Sequence, residues 1–452
     1  MIFHDLQIGA WEYSPERAQV IVLSSPVGRM RRPLTVHCNF AHFDEAAAFF
    51  PQSEWFSSAG LSGRLRRLGQ ELAGVLLPDP ILAVVKDSLK AIPAGNGLRL
   101  RLCFDERMAD WPWEFATWPD AADAPDEAAF IALSERVSLV REAPAFLHAA
   151  GSTAPEGEIE RIVFAGTFWQ TNSARDDHWG VQGEYIQLQQ SLVHVQHFAS
   201  VEFCESTEIE VALNWPAGIL YYSGHVDPGE QGAHLVTLVA DGQTPEPLPV
   251  QRLAELMAKA QTKLAFFSAC NSAQHEFADP LLKAGLPALI GSLGMVSNYS
   301  SPVFGSILFS SLVVGLSIDE AAAAGRRAVQ QSRWGSDPNY EWGGFVAYLP
   351  TSRVVLFPRA GSNAIQEHQY AERLTSALAT HFDLDDLSNL CFTLQSSRAE
   401  FADLEYENLA GQTRLVKARE LVQWCRRRSL LSQLGQRIRQ ERPLLELGEM
   451  GG

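Results

Sequence analysis

Two apolar runs in this chain end in residues that could do chemistry together: GILYYSGH closes on His225 and KLAFFSAC closes on Cys270. A thiol attacks a peptide carbonyl only as the thiolate, so it needs an imidazole close by to take its proton and later return one to the leaving amine. A spacing of 45 residues, 270 minus 225, accommodates one strand, a hairpin or crossover, a helix and the next strand. If the two strands are neighbours, both residues emerge at one sheet edge. The small pairs before them, Ser223-Gly224 and Ser268-Ala269, keep the approach clear of bulky side chains. The backbone N–H groups of Val226 and Cys270 would then face a tetrahedral oxyanion.

Other readings of the same residues stay open. A cysteine ending an apolar strand is ordinarily a small buried hydrophobe, and a histidine after glycine is ordinarily a loop residue. Cys204 also ends a strand-like run, with His194 and His197 before it, and His275 closely follows Cys270. None of these sits at the end of its own strand facing a cysteine strand end. A zinc site built from Cys204, His225, His234 and Cys270 lacks ligand spacing, and no G-x-S-x-G elbow supports serine chemistry.

The elements that must carry His225 and Cys270 lie between residues 157 and 358. Short apolar runs (RIVFAGT, VEFCES, GILYYSGH, HLVTLVAD, KLAFFSAC, ALIGSLG, FVAYLP, RVVLFP) alternate there with helix-length stretches at Gln182–Phe198, Val250–Ala260 and Ile318–Gln331. This alternation predicts an α/β domain with a mainly parallel sheet covered by helices, whose active sites lie beyond the strands' carboxyl ends. Residues 1–150 read as a mixed α/β region. Leucines at helical spacing fill Leu61–Leu77, and LRLRLCF alternates as a strand after Asn96-Gly97. WPWEF and IALSERVSLVRE read as strand or edge elements. Residues 366–445 show only helical periodicity. Phe382, Leu387, Leu390, Cys391 and Leu394 form one stripe behind an Asp383 N-cap, and Leu415 to Cys425 carries a second, so a small helical bundle is expected.

Composition limits the function. The chain has 452 residues, 46% of them hydrophobic, enough for real cores, and a net charge of −17 that disfavours both nucleic acid and anionic membranes as partners. Six dispersed cysteines read as reduced thiols. The start has no basic region followed by an apolar one, and Val303 to Leu316 is too short to span a membrane, so a cytoplasmic protein is expected.

YYSGHVDPGEQGAHLVTL and LAFFSACNSAQ resemble the CHAT branch of the caspase-like peptidases, in which one strand runs into His-Gly and another into S-A-C. The resemblance continues through AGLPALIGSLGMVS, FGSILFSSLVVGLSIDEAAAAGRRAV and EWGGFVAYLP. It implies a caspase-like fold and a cysteine endopeptidase with His225 and Cys270 as its dyad, without metal or organic cofactor. Family members usually carry Gly where this chain has Val226, a residue that cannot adopt positive φ cheaply. HFDLDDLSNLCFTLQ and KARELVQWCRRRSLLSQL are similar to bacterial death-like, effector-associated domains. That similarity implies recruitment by like domains or self-association, and cleavage of a partner such as a gasdermin-like pore former in prokaryotic defence. The alternative is a catalytically silent scaffold that keeps the fold. Asp227, Glu230, Glu276 and Asp279, near the two strand ends, are candidates for selecting a basic substrate residue.

Overall fold

The structure is a computed structural model that describes residues 3–49, 61–121, 124–142, 159, 161–166, 177–192, 200–205, 208–227, 229, 232–238, 245–332, 339–349, 354–357, 362–397, 401–409, 414–428 and 430–442. It divides into two compact units, Met1–Phe357 and Pro358–Gly452.

The first unit is built on one sheet of eleven strands. In chain order they are β1 (Phe3–Ser14), β2 (Arg17–Ser24), β3 (Leu34–His37), β4 (Gly97–Phe104), β5 (Val137–Glu142), β6 (Arg161–Gly166), β7 (Ser200–Glu205), β8 (Ile219–Ser223), β12 (Leu264–Ser268), β13 (Leu289–Ser292) and β14 (Phe345–Tyr348). A separate antiparallel sheet holds β9 (His225–Asp227), β10 (His234–Leu238) and β11 (Pro245–Pro249). The large sheet is ordered β3-β2-β1-β4-β5-β14-β13-β12-β8-β6-β7. Strands β7, β6, β8, β12 and β13 are parallel, and β14, β5, β4 and β1 are parallel to one another in the opposite sense, because β13 and β14 pair antiparallel. The start of β14 therefore shares an edge with the ends of β12 and β8.

The strand texts explain their place. ILYYS, LAFFS, LIGS and FVAY are buried at every residue, as strands covered on both faces must be. Helices supply the cover: α1 (Phe40–Phe49), α2 (Leu61–Leu76), α3 (Asp79–Ala91), α4 (Glu106–Ala109), α5 (Asp126–Ala129), α6 (Asp177–Leu192), α7 (Ile209–Ala212), α8 (Val250–Lys259), α9 (His275–Lys283), α10 (Ser300–Val313) and α11 (Ile318–Gln331). Ser317 and Glu320 close a capping box at the start of α11. Rings of Phe304 and Phe345 stack 4.1 Å apart between α10 and β14. Helix α11 can lie on α10 only because residue 325 is glycine, where a Cβ would meet the Phe304 ring at 2.8 Å.

The expected α/β architecture is present, with two local differences. WPWEF does not form a strand; Trp113–Phe115 is a 3-10 turn, as is Ile131–Leu133, and the strand begins only at Val137. These aromatics are buried by tertiary packing that a strand pattern does not anticipate: Trp113 stacks on Phe104 at 4.5 Å. RVVLFP is no strand either, since Val354–Phe357 runs as irregular chain with Val354, Leu356 and Phe357 buried. The strands of residues 1–150 extend the sheet rather than form one of their own.

The second unit is helical: α12 (Ser362–His381), α13 (Leu384–Ser397), α14 (Arg414–Arg427) and α15 (Leu431–Glu441). Phe382, Leu387, Leu390, Cys391 and Leu394 meet Ala418, Leu421, Val422 and Cys425 in its core. The side chain of Leu415 lies outside the described residues. Asp383 Oδ1 accepts the Asp386 N–H at 2.7 Å, the expected cap. Among the described residues no single helix is long and apolar enough to cross a membrane.

A buried ionic cluster reinforces the parallel seam between β5 and β14. Arg141 on β5 donates to both oxygens of Glu114 and to the carbonyls of Ala109 and Trp111. Arg326 on α11 lies 3.8 Å from Glu114 and donates to the carbonyls of Leu139 and Phe345. All three side chains are at most 1% exposed. Glu114→Ala strands two buried guanidiniums and is expected to cost about 3–5 kcal/mol, read from the urea midpoint, whereas Arg326→Met costs less because one cation then matches one anion.

Candidate active site

Strands β8 and β12 are parallel neighbours inside the sheet, between β6 and β13, in register from Ile219 opposite Leu264 to Ser223 opposite Ser268. The Gly224 N–H donates to the Ser268 carbonyl at 3.2 Å, extending the ladder one step. His225 and Cys270 each stand two residues past the last paired serine, so both lie at the carboxyl edge of adjacent strands.

His225 is exposed and opens β9 opposite Val236 of β10. The Tyr222 hydroxyl lies 2.9 Å from the Val236 carbonyl oxygen and 3.1 Å from that of His225, and accepts the His225 N–H at 3.3 Å. One buried phenol thus ties the histidine's backbone to both sheets. Val226 is buried within β9, opposite Leu235. Among the described non-glycine residues only Gln261 and Asn271 have positive φ, so the conformation that valine resists is not required at position 226.

Cys270 is partly exposed, while the other described free cysteines, Cys38, Cys103, Cys391 and Cys425, are buried. Burial pushes the thiols of Cys38, Cys103 and Cys391 up to about 12. The chain turns sharply after the nucleophile candidate: Asn271 has φ 59°, a left-handed conformation that asparagine tolerates. Its N–H donates to Gly294 at 3.1 Å. The Ser272 hydroxyl donates to Ala269 at 2.7 Å and accepts the Ser292 N–H at 3.0 Å. Gly291 lets this turn lie against β13, since a Cβ there would meet the Ser272 carbonyl oxygen at 2.9 Å.

The thiol's hydrogen-bond partners are both at Val296, whose N–H reaches Sγ at 3.4 Å and whose carbonyl oxygen lies 4.0 Å away. Burial raises the thiol pKa first of all. Hydrogen bonding from Val296 lowers it, the charge of Glu341 raises it, and the Cys270 N–H lowers it. At rest, the neutral thiol is favoured.

His275, the competing base, is otherwise engaged. Its ring Nδ1 is 2.5 Å from Asp110 Oδ2, and its backbone N–H donates to Asp110 Oδ1 at 2.7 Å. The Asp110 hydrogen bond raises its pKa against the effect of burial, and the pair fixes the start of α9. His194, His197, Glu230 and the Cys204 side chain lie outside the described residues. Of the acids proposed for substrate selection, Asp279 pairs with Lys283 at 2.5 Å and Asp227 accepts the Gly229 N–H at 2.9 Å. Among the described residues no group of three or more His, Cys, Asp or Glu side chains could hold a metal ion.

Two acids that sequence reading passed over lie close to this edge. Glu341 precedes Trp342 in the segment EWGGFVAYLP, which reads only as a closing strand. Glu184 is buried on α6, on the same face as the stripe of Val181, Tyr185, Leu188 and Leu192 that packs on the core. Tyr221 donates to its Oε2 at 2.7 Å and Ser268 to its Oε1 at 2.8 Å, with the Ser223 hydroxyl also bonded to it. Ser268 Oγ is in turn 2.5 Å from Ser301 Oγ. The two serines that lead into His225 and Cys270 therefore share one carboxyl group. Burial raises its pKa from 4.5 to about 7, with the hydrogen bonds from Tyr221, Ser268 and Ser223 opposing.

The family model described as "CHAT domain" matches residues 66–349, and "Effector-associated domain 7" matches residues 373–443. No curated protein matches the chain. Solved structures similar to it include the Arg-specific cysteine proteinase gingipain R, at 12% identity over 66% of this chain and 76% of that one, with a TM-score of 0.40. A complex of Porphyromonas gingivalis RgpB pro- and mature domains matches at 13% identity over 64% and 72%, also with a TM-score of 0.40. A Saccharomyces cerevisiae separase–securin complex matches at 17% identity over 61% of this chain and 17% of that chain, with a TM-score of 0.36.

The Glu184 carboxyl gives a pH signature. With its folded pKa above the unfolded value, the folded state holds the extra proton, so stability falls as pH rises from 4.5 to about 7 and is level beyond. Urea midpoints across that window should show this fall for the wild type and lose this component in Glu184→Gln.

Proposed function

The chain belongs to the CHAT domain family, and on that premise we propose that it is a cysteine endopeptidase in which Cys270 is the nucleophile and His225 the base. The observation that carries this reading is the shared register of β8 and β12, adjacent parallel strands whose carboxyl ends lead into both residues at one sheet edge. In this mechanism the Cys270 thiol gives its proton to the His225 imidazole, and the sulfur attacks the peptide carbonyl carbon. The backbone N–H groups of Val226 and Cys270 face the oxyanion that forms. As the C–N bond breaks, His225 returns the proton to the leaving amine. Water, deprotonated by His225, then hydrolyses the thioester and frees the thiol.

The effector-associated domain at residues 373–443 supports recruitment by like domains or by other copies of this chain. A thiol held neutral at rest suits an enzyme activated by such clustering. By analogy with the family, the target is a partner protein such as a gasdermin-like pore former, in a defence response within the cytoplasm. The raised thiol also favours a second reading, a silent scaffold that works by assembly alone.

One experiment separates the two. A peptide library is digested by the full-length protein, clustered through a dimeriser fused at its C-terminus, and the new termini are read by mass spectrometry. Cys270→Ala and His225→Ala should each lower the cleavage rate by at least about a hundredfold. Cleavage unaffected by either substitution, or none from the clustered wild type, removes the peptidase reading and leaves the scaffold.

A further inference from the structure

Resting on the reading of Cys270 as nucleophile, we infer that Glu341 is the substrate-recognition carboxylate, selecting peptides with arginine or lysine before the scissile bond. The reversal of strand sense at β13–β14 sets it there. Phe345 pairs with Ser292, and the Leu293 N–H donates to the Gly344 carbonyl at 3.0 Å. The 3-10 turn Tyr340–Gly344 is thereby held at the edge where β12 ends. Asn339 fixes that turn: its Oδ1 accepts the Glu341 N–H at 3.0 Å and its Nδ2 donates to Ser300 Oγ at 2.7 Å.

The carboxylate sits one residue from the thiol's own contact. Glu341 Oε2 accepts both the N–H and the hydroxyl of Ser297, at 2.9 and 2.8 Å, and Ser297 follows the Val296 whose N–H touches Cys270 Sγ. Among the described residues, Glu341 Oε1 accepts no hydrogen bond and no cation pairs with this partly exposed group. The same loop carries two exposed apolar side chains, Met295 at 41% and Tyr299 at 46%. They are surfaces on which the aliphatic stem of a lysine or arginine can lie while its charged head reaches a carboxylate.

The chemistry gives this arrangement a purpose. An anion beside a nucleophile that must itself become an anion opposes catalysis; burial is the first cause of the raised thiol, and the charge of Glu341 adds to it. A cationic substrate side chain at Glu341 cancels that charge and eases ionisation of Cys270. The correct peptide would then both bind and switch on its own nucleophile, so basic residues raise kcat as well as lowering KM.

Thiol labelling of the full-length protein tests the charge without any peptide. Methanethiosulfonates bearing an aminoethyl, methyl or sulfonatoethyl group differ in charge and form the same type of mixed disulfide, each releasing methanesulfinate. At Cys270, the aminoethyl reagent should outpace the sulfonatoethyl one by about tenfold relative to their rates with free glutathione. Glu341→Gln, whose amide oxygen can still accept from Ser297, should collapse that ratio and raise the rate of the neutral reagent. Glu341→Asp should keep the preference. An unchanged ratio in Glu341→Gln overturns the proposal. On peptides, an arginine-over-glutamine preference that vanishes in Glu341→Gln upholds it, and equal cleavage of both by the wild type overturns it. Loss of all cleavage with the labelling ratio intact would instead overturn the peptidase reading while keeping the electrostatic role of Glu341.

Discussion

Two guanidiniums share one carboxylate at the parallel seam between β5 and β14, one strand away from the pair where the sheet changes sense, and the continuity of the sheet depends on them. Strands β5 and β14 are joined at one paired position, Arg141 with Tyr348, plus the Leu349 N–H donating to the Arg141 carbonyl at 3.0 Å. So short a ladder would be a weak seam. Side chains reinforce it: Arg141 and Arg326 between them bind Glu114 and four backbone carbonyls from β5, β14 and the Ala109–Trp111 turn. The excess positive charge appears in Arg326, whose pKa burial pulls down to about 10. A second buried pair, Arg99 with Asp319 at 2.7 Å, ties the start of α11 to β4. Helix α11 is thereby bound to β4 by an ion pair and to β5 by the Arg326 hydrogen bond to Leu139, and β14 is held with its first residue at the edge where β12 and β8 end.

The site at that edge is organised by backbone more than by side-chain pairing. A left-handed turn, a serine hydroxyl and a glycine-permitted close approach fix the path after Cys270, and one phenol fixes the path into His225. The electrostatics run against the thiolate, through burial and through Glu341. Such a site is assembled but not charged. On the proposed reading, its reactivity would come from a change of environment, supplied by the substrate or by the protein's own association.

Much of this was legible in the residues. Uninterrupted apolar strands predict a doubly covered sheet, and two such strands ending in His225 and Cys270 point to one edge. The fold implied by the resemblance to CHAT proteins is the fold observed, and the helical stripes around Phe382–Leu394 form a core. The misses have physical causes. Trp111 and Trp113 fill space between layers, which period-two reasoning mistakes for a strand. Glu184 lies on the apolar face of its helix, between Val181 and Leu188, where an ionisable side chain is ordinarily expected to be solvated. Glu341 is 71 residues beyond Cys270, 341 minus 270, and only the reversal at β14 makes them neighbours. Sequence proximity favoured Asp279 instead, which a lysine one helical turn away neutralises.

The eleven-strand sheet also bears on how the chain avoids pairing with other molecules. Every backbone group along β14 that faces away from β13 looks toward β5, so a fragment beginning after Glu142 would bare an apolar strand, FVAY, as a template for pairing with other molecules. In the intact chain that liability moves outward to β3, a four-residue strand whose residues alternate between half-buried and exposed. The first five strands thus act as a hydrogen-bonded cuff on this side of the sheet, moving its open edge from FVAY to the short β3.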